Sequence, residues 1–267
     1  MQGVTALAVF LVIGFFAQFI DGMAGMGYGA FSATFLIGIG VMPALASASI
    51  HTAEIFTTLV SGASHWGFGN VKKDWLILLA APGAVGGAMG AYFLTSVPGN
   101  VIKPFIAAFL LVLGIIVLFR FTRRKEEATD PAPAPAVVGA LTSRTSRYRI
   151  GALGFVAAFF DAVGGGGWGP IITPGLILGE NTEPRKAIGT VNMAEFFVTV
   201  VIAGTFFGAL GREQYDWKMV GMLLLGGVIA APLAAYLCNR LPARMLGIVV
   251  GVVLIIYNLR TLLTTTF

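Results

Sequence analysis

Charge is what this chain of 267 residues has least of: Asp, Glu, Lys and Arg together make up 11% of it. A soluble domain carries about a quarter charged residues, so this surface has no means of facing water. Cysteine is nearly absent. A single Cys238 cannot close an intramolecular disulfide, so no oxidised framework holds the fold. With two histidines and that one cysteine, a transition-metal site is not expected, and no cofactor is either. The start, Met1-Gln2-Gly3-Val4, lacks a basic n-region and a small-residue cleavage site, so it reads as mature sequence. The glycine runs lack a βαβ unit and an acidic ribose partner, so they are no dinucleotide fingerprint. Ser61 and His65 lack a nucleophile elbow, which disfavours serine hydrolysis.

What the chain does have is apolar length. Hydrophobic residues make up 57% of it, and mean hydropathy is +0.88. Stretches suited to crossing roughly 30 Å of hydrocarbon recur throughout. They fall at 4–20, 24–42, 44–66, 75–97 and 101–121, then at 150–160, 163–179, 186–210, 217–237 and 243–263. The expected fold is an all-α polytopic membrane protein embedded in a lipid bilayer. Between the two sets, residues 122–149 read as a flexible linker, with Arg123-Arg124-Lys125 followed by the run Pro131-Ala132-Pro133-Ala134-Pro135. This divides the chain into a first repeat, 1–121, and a second, 150–267.

The halves match in order. IGFFAQFIDGMAGMGYGAF (13–31) lies over LGFVAAFFDAVGGGGWGPI (153–171), pairing Asp21 with Asp161, Gly25 with Gly165, Gly27 with Gly167, Tyr28 with Trp168 and Gly29 with Gly169. IHTAEIF (50–56) lies over VNMAEFF (191–197), pairing His51 with Asn192 and Glu54 with Glu195. Five segments per half make the second half enter the membrane with opposite orientation, an inverted repeat. With the linker placed in the cytoplasm, 13 of the 17 Lys and Arg residues fall inside and 4 outside. The basic excess therefore reports orientation rather than a nucleic-acid partner: linker cytoplasmic, both termini periplasmic. The first two segments of each half are short, separated only by Asp21-Gly22-Met23 or Asp161-Ala162. Each pair is expected to form a broken or re-entrant hairpin, its tip near mid-membrane and lining a cavity.

The residues that could carry chemistry cluster at these tips and on the third segment of each half. Gly25, Gly27 and Gly29, with Tyr28, open the second arm of one hairpin; Gly165, Gly166 and Gly167, with Trp168, open the other. A helix start offers unpaired N–H groups and partial positive charge, which suits an oxyanion. The same glycines could serve only to let helices approach closely. Asp21 and Asp161 are expected to cap these arms, with proton carriage as the alternative. Ser47, His51, Glu54, Thr58, Ser61 and His65 are spaced 4, 3, 4, 3, 4, which puts them on one helical face. Asn192, Glu195 and Thr199 echo that stripe in the second half. His51 and Asn192 can donate hydrogen bonds to an anion, while Glu54 and Glu195 are expected to be functional acids. His51 and Glu54 have a spacing that can bind metal, but Asn192 stands where the second half would need its histidine.

Four pieces of sequence, FIDGMAGMGYG (19–29), ASASIHTAEIFTTLVSGASHWGFGNV (46–71), FFDAVGGGGWGPI (159–171) and GTVNMAEFF (189–197), resemble the sulfite exporter TauE/SafE family. The likeness covers nearly the whole chain. It implies a bacterial inner-membrane permease, an exporter, for sulfite or related sulfur oxyanions and organosulfonates. The expected form is a monomer or homodimer, and enzymatic activity is not expected. Two other classes compete. One is a membrane phosphatase of inverted-repeat architecture, which needs an arginine and clustered acids for pyrophosphate. The other is a passive anion channel, which needs no proton-carrying acid.

Overall fold

The computed structural model describes residues 2–123, 144–179, 182–238 and 243–265. Ten α-helices account for nearly all of them: α1 (Gln2–Ala24), α2 (Tyr28–Gly38), α3 (Pro43–Gly67), α4 (Lys73–Ser96), α5 (Gly99–Arg123), α6 (Arg144–Gly164), α7 (Trp168–Gly179), α8 (Pro184–Leu210), α9 (Trp217–Leu237) and α10 (Ala243–Thr265). Five of the described helices, α1, α4, α5, α8 and α9, contain windows long and apolar enough to cross a membrane. The chain is a multi-pass membrane protein. At 25 residues α3 matches them in length, but the polar stripe breaks its apolar run.

Local sequence sets the helix ends. Pro43 and Pro184 open α3 and α8 at positions where the missing N–H costs nothing. Asp216 caps α9 by accepting from the N–H groups of Lys218 and Met219, at 3.0 and 3.1 Å. Gly25, at φ +66°, ends α1 by donating its N–H to the Asp21 carbonyl at 2.6 Å. This left-handed stop is one that glycine makes without a Cβ penalty. Gly165, at φ +69°, stands at the matching turn of the second half.

These stops correct the sequence reading of the hairpins. Asp21 and Asp161 do not separate two short segments; each lies within the last turn or so of a full-length helix, and the breaks come a few residues later. The first arms, α1 and α6, have 23 and 21 residues, about 35 and 32 Å of helix. Only the second arms are short, with 11 residues in α2 and 12 in α7, about half of the hydrocarbon thickness. Residues 144–149, placed in the linker by composition, form the first turns of α6. The rest of that linker, 124–143, lies outside the described residues.

The helices from the two halves interleave. α1 packs along α9, and α6 packs along α4; α3 crosses α8, and α5 lies against α10. α3 also touches α9, and α8 touches α4. Small residues set these close approaches. A Cβ on Gly86 would come within 2.1 Å of the Phe155 carbonyl oxygen, and one on Gly90 within 2.4 Å of that of Phe159. This pair, four residues apart, brings α4 against α6 in the way small residues join membrane helices. Gly226 on α9 meets the Leu11 carbonyl of α1 at 2.1 Å by the same measure.

Candidate functional site

Where α3 crosses α8, the apolar interior gives way to polar side chains. The whole predicted stripe of Ser47, His51, Glu54, Thr58, Ser61 and His65 is buried, as are Asn192, Glu195 and Thr199 on α8. Ser61 donates its hydroxyl hydrogen to Asn192 Oδ1 at 2.7 Å, joining the two stripes directly. Asn192 spends its own N–H on the Ile188 carbonyl at 3.2 Å. His65 sits 3.0 Å from the Gly22 carbonyl and ties α3 to the end of α1. Thr58 and Thr199 bond back to the carbonyls of Glu54 and Glu195 within their own helices.

The centre of the site is a contact between the halves. His51 Nδ1–H donates to the Ser47 carbonyl at 2.8 Å, which turns Nε2 towards Asp161 Oδ2, 3.1 Å away on α6. Glu54 Oε2 lies 3.8 Å from the same Nε2. The donor atoms of His51, Glu54 and Asp161 all fall within 4.8 Å of one another. Asp161 uses its other oxygen, Oδ1, to accept from the N–H groups of Gly167 (2.7 Å) and Trp168 (3.2 Å), capping α7. In the first half the Tyr28 backbone N–H lies near the Asp21 carboxyl.

Asp21, Glu54, Asp161 and Glu195 lie within electrostatic reach of one another. Among the described residues no lysine or arginine is buried with them. Glu54 Oε2, Glu195 Oε2 and Asp21 Oδ2 are buried without a hydrogen-bond partner. Buried carboxylates left uncompensated are very costly, so these acids need either a proton or a compensating cation.

The glycine tips meet each other directly. A Cβ on Gly29 would stand 2.2 Å from the Gly165 carbonyl oxygen, and one on Gly166 would stand 2.0 Å from the Ala30 nitrogen. Thr173 Oγ1 donates to the Gly25 carbonyl at 2.5 Å, and Gly169 leaves only enough room for the Met26 backbone. Gly27, at φ +126°, precedes α2. The tips are thus in backbone contact, with no room for an anion between Gly29 and Gly165. The two aromatic residues of the repeat are buried and act as ties. Tyr28 donates its hydroxyl hydrogen to the Leu223 carbonyl at 3.3 Å, and Trp168 Nε1–H donates to the Val191 carbonyl at 3.1 Å.

Two features escaped the sequence reading. Gln18 is buried on α1 with both side-chain polar atoms unpartnered; its place deep within an apolar helix was the available signal. Asn258 donates to Thr34 Oγ1 at 2.9 Å, linking α10 to the short α2.

Known proteins with similar sequences are membrane transporters by name. The family model described as "Sulfite exporter TauE/SafE" matches residues 10–261. A probable membrane transporter protein of Bacillus subtilis, YtnM, is 43% identical over 257 residues, covering 96% of this chain and 83% of the relative. A second from the same organism, YdhB, is 25% identical over 90% of this chain and 92% of its own. A probable membrane transporter protein of Haemophilus influenzae is 26% identical over 87% of this chain and 85% of its own. No solved structure matches the chain. With its polar, acid-lined interior inside a shell of apolar helices, this chain is a membrane transporter and belongs to the TauE/SafE sulfite exporter family.

Proposed function

We propose that the chain is a secondary transporter, working as an exporter, of sulfite or a related small sulfur-containing anion across the bacterial inner membrane. The description of its family, a sulfite exporter, supports the cargo class. The observation that carries the mechanism is the buried meeting of the two stripes: His51 and Glu54 from one half face Asp161 from the other, with Glu195 and Asn192 close by on α8. Ionisable groups at membrane depth are costly and usually mark an ion or substrate path.

On this reading the two halves are inverted repeats, supported by the exchange of partners between them: α1 with α9 as α6 with α4, and α3 with α9 as α8 with α4. The contact between Gly29 and Gly165 then represents a closed state. Separation of the tips exposes backbone N–H groups of both second arms, beside His51 and Asn192, to the anion. Glu54 and Glu195 exchange protons as the anion moves, because a carboxylate next to an anion repels it and a carboxylic acid donates to it. Residues 122–149 face the cytoplasm and both termini the periplasm, in line with the basic excess on that side.

Purified protein in proteoliposomes, loaded with sulfite, thiosulfate, sulfate or a short organosulfonate under an imposed pH gradient, tests the reading. Sulfite or another sulfur anion should leave faster than from protein-free vesicles and should follow the gradient. Flux that ignores the gradient would make the chain a passive channel, and no flux of any of these anions would refute the cargo class.

A further inference from the structure

We propose that His51, Glu54 and Asp161 form a binding site for one divalent first-row metal cation, which joins the two halves of the chain. This goes beyond the transport reading and does not depend on which anion is carried; with the ion in place Glu54 stays deprotonated and the proton exchange falls to Glu195. The sequence conceals it. Within α3, His51 and Glu54 supply only two donors, and the third comes from α6, 110 residues away from His51.

The geometry is that of a ligand set. His51 Nδ1–H is fixed on the Ser47 carbonyl at 2.8 Å. This leaves Nε2 as the atom with the lone pair in the neutral ring, the usual arrangement for a metal-binding imidazole. That lone pair faces Asp161 Oδ2 at 3.1 Å and Glu54 Oε2 at 3.8 Å. In the neutral ring these lone pairs repel one another unless a proton or a metal cation lies between them, and a single proton serves only the 3.1 Å contact, leaving Glu54 Oε2 without a partner. Ligand bonds of about 2.0–2.2 Å bring two donors of one ion to at most about 4.4 Å apart. Both measured separations fit, and the third pair, within 4.8 Å, closes with less than an ångström of movement.

Three further observations point to a cation rather than to a packed polar cluster. Glu54 Oε2 is fully buried and has no hydrogen-bond partner. The second oxygen of Asp161 is held by the Gly167 and Trp168 N–H groups, so Oδ2 is oriented in advance by a shell of its own. Charge also balances: a neutral imidazole with two carboxylates carries −2, which one divalent ion cancels, and no buried lysine or arginine among the described residues can do so. One imidazole with two carboxylates is a mixed set that suits zinc, cobalt or manganese better than the all-oxygen partners of calcium and magnesium.

The test uses the full-length protein in detergent, stripped with a chelator and titrated with Co2+ or Mn2+ alone. The expected result is one ion per chain, with a visible Co2+ spectrum of nitrogen and oxygen ligation. His51→Gln and Asp161→Asn should each weaken binding by at least the roughly 10–100-fold that loss of an outer-shell partner costs, whereas His65→Gln should leave it unchanged. Equal binding by wild type and His51→Gln, or no stoichiometric ion on wild type, overturns the proposal. Should the variants fail to fold, wild-type protein carrying [15N]histidine decides: spin-echo modulation from a nitrogen beside bound Mn2+ supports the site, and its absence removes it.

Discussion

Gly166 lies against Ala30 so closely that a methyl group on its α-carbon would come within 2.0 Å of the Ala30 nitrogen. The obstructing atom is backbone and cannot swing aside, so the two hairpin tips meet main chain to main chain at this point. Gly166→Ala and Gly29→Ala should therefore lower thermal stability in detergent by at least the 1–3 kcal/mol typical of overpacking. Gly204 on α8 and Gly221 on α9 have nothing within 4 Å of a built Cβ. There alanine should be neutral or stabilising by up to about 1 kcal/mol. Equal melting temperatures for all four variants would show that the tips are not in contact.

The Ser61–Asn192 hydrogen bond predicts a smaller effect. Hydrogen bonds between membrane helices average about 0.6 kcal/mol. Ser61→Ala should cost about that much, and Asn192→Ala more, because it also leaves the Ser61 hydroxyl buried without an acceptor. A double-mutant cycle on unfolding free energy measures the coupling; a value of zero would mean that the two stripes do not touch.

Glutamine at position 54 or 195 keeps shape and hydrogen bonding but cannot carry a proton. An ionised carboxylate at membrane depth costs about 2.5–3.5 kcal/mol on insertion scales, so these acids have reason to hold protons for part of a cycle. Glu54→Gln and Glu195→Gln should both still bind the anion, and at least one should lose flux driven by a pH gradient. If both variants keep full gradient-driven flux, the acids are structural.

Membrane orientation can be read with single cysteines in a Cys238→Ala background. A cysteine at Ser143 should resist a membrane-impermeant thiol reagent in intact spheroplasts. One at Glu213, exposed in the turn between α8 and α9, should react. The opposite pattern would invert the assigned topology.

Helix order and the buried face of α3 were legible in the sequence because periodicity reveals which side of a helix avoids lipid. Every residue of the stripe from Ser47 to His65 lies inside. What periodicity does not reveal is the partner of that face. His51 meets Asp161 through folding of the whole chain, and nothing local to either residue announces it. Helix ends were misjudged for a related reason. Asp21 looked like punctuation because it is polar, yet a helix tolerates it where its carboxyl can reach the Tyr28 N–H beyond the break, so the stop falls to Gly25. The tips drew attention as an anion cradle through their glycines. In this structure Gly29 and Gly166 lie against the opposite backbone.

The crossing of partners has a consequence for how the chain is made. α1 emerges from the ribosome first, but its main neighbour α9 begins only after a further 192 residues, 25–216. During synthesis, the glycine-lined face of α1 can meet only lipid or the insertion machinery. The first half therefore cannot complete itself before the second is inserted. Assembly of this pair is therefore a late event, and a chain interrupted before α9 leaves that face of α1 without its partner.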